Sequence, residues 1–79
     1  MIKLIDLLPI LKGFVTIHFR DGRPDDLIVC EALPAEDIHD RLLKAGLRFF
    51  NYHVLEMYAV TFDIGVDEEC ECLKIILVR

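Results

Sequence analysis

The thiols, imidazoles and carboxylates of this 79-residue chain concentrate in a few places. Cys70-Glu71-Cys72 sets two thiols two residues apart, which puts them on one face of a strand because strand side chains alternate. With His53, and with Cys30 in reserve, they offer the donors of a tetrahedral zinc site. Structural zinc sites usually leave roughly two to four residues between paired cysteines, however, and a single residue in a strand makes a poor knuckle. There is no second cysteine pair. Buried thiols are the simpler reading, and no metal or cofactor is expected.

Cys30 and His18 fall on segments that face one another as a hairpin, so an imidazole-activated thiolate is conceivable. No third orienting group and no glycine-rich oxyanion segment accompanies them, and their neighbours Ile17, Phe19 and Val29 are those of a plain sheet. His39-Asp40 reads as a solvated helix pair. No phosphate loop or Ser-His-Asp arrangement is legible. The expectation is therefore a protein without a catalytic centre.

Charge supplies the most concentrated feature. Asp63, Asp67, Glu68, Glu69 and Glu71 crowd one short stretch. They lack the alternating ligand spacing of a calcium hand. A solvated hairpin tip is the plain reading. The sharper one is a row that imitates phosphates and occupies a basic site on a partner protein. The net charge of −5 opposes direct binding to nucleic acid or to anionic membranes, both of which need clustered Lys and Arg.

The elements that position these residues follow from pattern. At 79 residues there is room for one domain, spanning 1–79, and a chain of this size buries only about 60% of its unfolded surface. Its apolar share is 54%, above the roughly 45–50% of ordinary globular chains. No run approaches a membrane span or a signal peptide, and three cysteines argue against a disulfide framework, so a reduced, cytoplasmic setting is expected.

Ile2–Lys12 predicts a short helix starting at Leu7, capped by Asp6, with Pro9 in its first turn and Gly13 as its stop. Phe14–Arg20 and Leu27–Leu33 predict a hairpin around Asp21-Gly22-Arg23-Pro24-Asp25. Pro34–Ala45 predicts the clearest helix, with Ala35, Ile38, Leu42 and Ala45 inward and Leu47 folded back after Gly46. Phe49 and Phe50 lead into two long strands, Tyr52–Arg79, that turn at Ile64-Gly65-Val66-Asp67. The fold class is α+β: a two-layer sandwich in the order α-β-β-α-β-β, with a four-stranded, mainly antiparallel sheet and both helices on one face.

Pairing Asp63 with Glu68 would put Tyr52, Val54, Tyr58, Val60 and Phe62 on the face of Leu73, Ile75 and Leu77. His53, Leu55, Met57, Ala59, Cys70, Cys72, Ile76 and Val78 would share the other. A slip of one residue exchanges these faces. Two helices cover only one side, which leaves Leu55, Met57, Ala59, Ile76 and Val78 as an apolar patch that a second copy could cover. The leading expectation is a small acidic, non-enzymatic interaction module, homodimeric through a sheet face or edge, with a regulatory or accessory role. One alternative is an acidic nucleic-acid mimic that uses Asp67, Glu68, Glu69 and Glu71 against a basic protein. Another is a small metal-binding domain built on Cys70 and Cys72.

Overall fold

A computed structural model describes residues 1–65 and 68–79. Val66 and Asp67 of the expected turn, and the side chains of Phe62 and Ile64, lie outside the described residues. The elements are helix α1 (Leu4–Leu7), strands β1 (Phe14–Phe19) and β2 (Leu27–Pro34), helix α2 (Ile38–Ala45), and strands β3 (His53–Gly65) and β4 (Glu68–Val78). Short 3-10 turns at Leu8–Ile10, Ala35–Asp37 and Leu47–Asn51 join them. The α+β class and the mainly antiparallel four-stranded sheet are as the pattern predicts.

The sheet runs β2-β1-β4-β3, so the two hairpins meet through a parallel pairing of β1 with β4. Residue type explains this centre. Ile75, Ile76 and Leu77 are consecutive and all buried, and a continuous apolar run suits a strand covered on both faces. Val15, Thr16 and Ile17 are likewise buried in β1. Leu4, Leu7, Ile38, Leu42 and Phe49 pack on one side of the sheet, against Val15, Ile17, Phe19, Ile75 and Leu77. Each fully buried aliphatic side chain contributes about 1.5–3 kcal/mol of transfer free energy. Phe19, Phe49 and Tyr52 close one end of this layer. Phe19 stacks on Tyr52 at 4.8 Å between centroids, and Phe49 meets both rings edge-on.

Several local expectations shift. The first helix starts at Leu4 rather than Leu7, and Asp6 lies inside it without making a side-chain cap. Leu4 N–H bonds the Tyr52 carbonyl at 2.9 Å, and Val54 N–H bonds the Ile2 carbonyl at 2.8 Å. Tertiary hydrogen bonds to β3 thus decide where the chain enters the helix. In the second helix Pro34 is still strand, and a 3-10 turn precedes Ile38. Gly46 stops the helix at φ 145°, but Leu47 stays 66% exposed instead of folding back. Phe49 and Phe50 point inward from the last 3-10 turn and not from a strand. Their burial against the core outweighs their β propensity.

The β1–β2 ladder is irregular. Val15 faces Leu33 and Ile17 faces Cys30, so β2 carries extra residues opposite Thr16. Ala32 sits there at φ 48° and donates its N–H to Thr16 Oγ1 at 3.0 Å. A left-handed conformation costs an L-residue about 1–2 kcal/mol, and glycine escapes that cost. Ala32→Gly should therefore stabilise the protein by about 0.5–1 kcal/mol in urea unfolding, after glycine's extra unfolded-state entropy is subtracted. A destabilised variant would show that the Ala32 methyl makes packing contacts worth more than the strain.

Candidate functional site

The long hairpin does not keep the expected register. His53 faces Val78 and Val54 faces Leu77, in line with Asp63 opposite Glu68. An irregularity at Leu55 then moves the ladder by one residue. Met57 faces Ile75, Ala59 faces Leu73, Val60 faces Cys72 and Asp63 faces Glu69. Beyond Leu55 the two faces of β3 are exchanged.

The expected apolar patch is accordingly divided. Met57 and Ala59 lie on the helix side of the sheet, out past the helices, and both are exposed. Ile76 and Val78 lie on the opposite side, where Ile76 is only 1% exposed between His18 of β1 and Glu56 of β3. Leu55 sits at the bulge and is exposed. The five residues do not make one surface. A bulge adds a residue to one strand only, and a β pattern with period two carries no mark of where that happens.

The side of the sheet without helices is a mixed surface. Phe14, Cys72 and Val60 form one cross-strand row; Thr16, Lys74 and Tyr58 the next; Ile28, His18, Ile76 and Glu56 the third. Thr16 Oγ1 lies 3.7 Å from Cys72 Sγ, and Lys74 Nζ stands over the Tyr58 ring at 5.8 Å. Polar and long amphipathic side chains thus screen the buried middle of this side.

These positions also separate the proposed chemical pairs. Cys30 pairs with Ile17 and joins the core under the helices, while His18 pairs with Ile28 on the other side. Burial pushes the Cys30 thiol up from its ordinary pKa, and its Sγ approaches the Val15 carbonyl at 3.9 Å. No imidazole activates it. Cys72 is buried beside Thr16, Cys70 is half-buried, and His53 pairs with Val78, six positions along β4 from Cys72. At roughly 3.3 Å per residue that is about 20 Å, too far to share a metal. Among the described residues no three His, Cys, Asp or Glu side chains converge on a cation position.

At the acidic tip Asp63 and Glu69 face each other directly, with Glu68 opposite Gly65 and Glu71 opposite Thr61. All four acidic residues are exposed. Like charges opposite one another destabilise a hairpin. Asp67 lies outside the described residues.

The two sheet edges differ. At β2 the Arg41 Nε donates to the Val29 carbonyl at 3.3 Å, and the strand is irregular near Ala32. At β3 only the start is covered, by the Lys3–His53 bridge and the backbone bonds of Ile2 and Leu4. From Leu55 to Gly65 the outer edge pairs with no strand among the described residues. Leu55 at 43%, Met57 at 49% and Tyr58 at 43% exposure line it. The sequence leaves open which strand provides a free edge, because strand order is not legible in it.

Comparison with family models, with curated proteins and with solved structures finds no match to this chain. Among the described residues no helix is long and apolar enough to cross a membrane.

One group on the open side carries a clear electrostatic signature. Burial holds the His18 imidazole below its ordinary pKa of 6.5; the Lys74 ammonium acts in the same direction, and Asp26 and Glu31 oppose both. His18 Nε2 is buried with no hydrogen-bond partner among the described residues. A lowered folded pKa means that the folded state binds fewer protons than the unfolded one. The contribution is fully present above pH 6.5 and is lost as pH falls below that toward the folded pKa. An NMR titration should place the His18 midpoint below 6.5, and Lys74→Met should move it upward. Urea unfolding should show stability falling below that pH, less steeply in His18→Gln. A midpoint at or above the ordinary value would refute this account.

Proposed function

We propose that the protein is a non-enzymatic interaction module whose first partner is a second copy of itself, joined along the free edge of β3. The observation that carries this reading is the unpaired outer edge from Leu55 to Gly65, lined by exposed Leu55, Met57 and Tyr58. Long, flat, apolar edges invite strand addition, and natural proteins usually blunt them with lysine, proline or a covering element. The β2 edge is guarded by Arg41, and among the described residues no strand or side-chain hydrogen bond covers β3 beyond Val54. Antiparallel pairing of two β3 strands about a two-fold axis would satisfy both edges at once and extend the sheet to eight strands. An accessory or regulatory role fits such a module.

Light scattering across a tenfold dilution should give a dimer mass for the native chain and a monomer mass for Met57→Lys/Ala59→Lys. Both positions are exposed, so the far-UV spectrum of the variant should be unchanged. A native monomer throughout, or a dimer that survives both lysines, would remove the reading.

A second reading follows from the opposition of Asp63 and Glu69 beside Glu68 and Glu71. Four exposed carboxylates on one hairpin suit a basic protein surface that otherwise takes phosphates. A basic partner captured by the native protein should be displaced by duplex DNA and should not be captured by Glu68→Gln/Glu69→Gln/Glu71→Gln. Capture that survives both treatments would sink this second reading while leaving the dimer untouched.

A further inference from the structure

Away from the acidic tip, a hollow of about 320 Å³ opens between the start of β2 and the end of α2. Its floor and walls are Leu27, Ile28, Val29 and Phe49, and its rim carries Arg41, Lys44 and Arg48. Among the described residues no acidic side chain lines it. Three of the nine basic residues of an acidic chain therefore gather around one concavity. Among the described residues the ion pairs are Arg20–Asp26, Arg23–Asp21 and His39–Asp40, and none of them involves the rim.

The rim groups are held in place by different means. Arg41 Nε donates to the Val29 carbonyl at 3.3 Å, which anchors its guanidinium at the rim. The Arg48 guanidinium carbon lies 5.2 Å from the centre of the Phe49 ring, an attractive arrangement. Lys44 occupies the last turn of α2. A cation there complements the helix dipole, but that dipole amounts to only about half a negative charge at the C-terminus. Three whole positive charges exceed it.

The acidic tip does not neutralise the rim. Leu27 faces Phe19, which faces Leu77, whereas Glu69 lies eight positions earlier in β4. That separation is about 26 Å along the strands, with about 10 Å more across two strand spacings. It exceeds the screening length of roughly 8–10 Å at physiological salt.

We infer that this hollow binds a small organic dianion, a phosphate monoester or dicarboxylate carried on an apolar body. The rim answers the charge, with the Arg41 and Arg48 forks suited to bidentate contact with tetrahedral or planar oxyanions. Leu27 and Phe49 answer the apolar part. The volume lies within the range of small-molecule sites, roughly 300–1,000 Å³. The site is at the edge opposite β3, so it does not depend on self-association.

The probe is phenyl phosphate, titrated at constant ionic strength and followed by amide chemical shifts. Saturable shifts should centre on Lys44, Ala45 and Arg48. Inorganic phosphate should bind at the same place at least about fivefold more weakly, because it lacks the apolar part. Lys44→Gln/Arg48→Gln changes two exposed residues and should weaken phenyl phosphate at least about tenfold. Lys3→Gln/Lys12→Gln, with the same change in net charge, should leave binding intact. Shifts spread over scattered basic residues, or equal losses in the two double variants, would overturn the proposal. So would shifts at the hollow that need only higher protein concentration and vanish in Glu68→Gln/Glu69→Gln/Glu71→Gln. That result would put the tip of a second copy there instead.

Discussion

The parallel pairing of β1 with β4 is the constraint on which the rest depends. It joins two hairpins that are far apart in sequence, and it places Val15, Ile17, Ile75 and Leu77 side by side under the helices. Neither hairpin could bury that face alone. An isolated two-stranded hairpin is marginal in water, and four strands with a helical cover are not. Once these two strands are central, β2 and β3 must be edges. The long connection through α2 must then cross one side of the sheet, and both helices settle there.

The bulge at Leu55 has the next widest consequence. It leaves the first two pairs of the long hairpin in one register and the remainder in another. Near Val54 the strand keeps its apolar side toward the aromatic cluster of Phe19, Phe49 and Tyr52. Past Leu55 it offers Tyr58 and Val60 to the open side. The register change also explains why the open side is not a plain apolar sheet. Lys74, His18, Glu56 and Tyr58 stand over buried Ile76, Cys72 and Thr16. This side therefore screens itself with its own amphipathic side chains, and the unmet requirement moves from a face to an edge.

Charge is divided as sharply as apolar area. Four exposed carboxylates gather at the free end of the long hairpin, and three cations gather away from it, where β2 meets the end of α2. The chain is acidic overall, but its surface is not uniformly so. Such a division directs encounter with charged partners more than it stabilises the fold.

Much of the architecture was legible in the sequence. Residue type and period determine the two hairpins, the helix that stops at Gly46 and the inward side chains Ile38 and Leu42. They also determine the alternation of Val15, Ile17 and Phe19 with Thr16 and His18. The Ile75-Ile76-Leu77 run marks a strand buried on both sides, a signal present in the sequence that points to the sheet centre. Other features belong to the tertiary structure alone. The start of α1 depends on backbone bonds to Tyr52 and Val54. The inward turn of Phe49 and Phe50 depends on the core that receives them. Strand order, the Leu55 bulge, the separation of His18 from Cys30 and the meeting of Arg41, Lys44 and Arg48 over Leu27 and Phe49 depend on long-range pairing. The physical reason is common to them. Local propensity acts over a few residues, whereas register and strand order minimise the exposed apolar area of the whole chain, and only the folded chain supplies that sum.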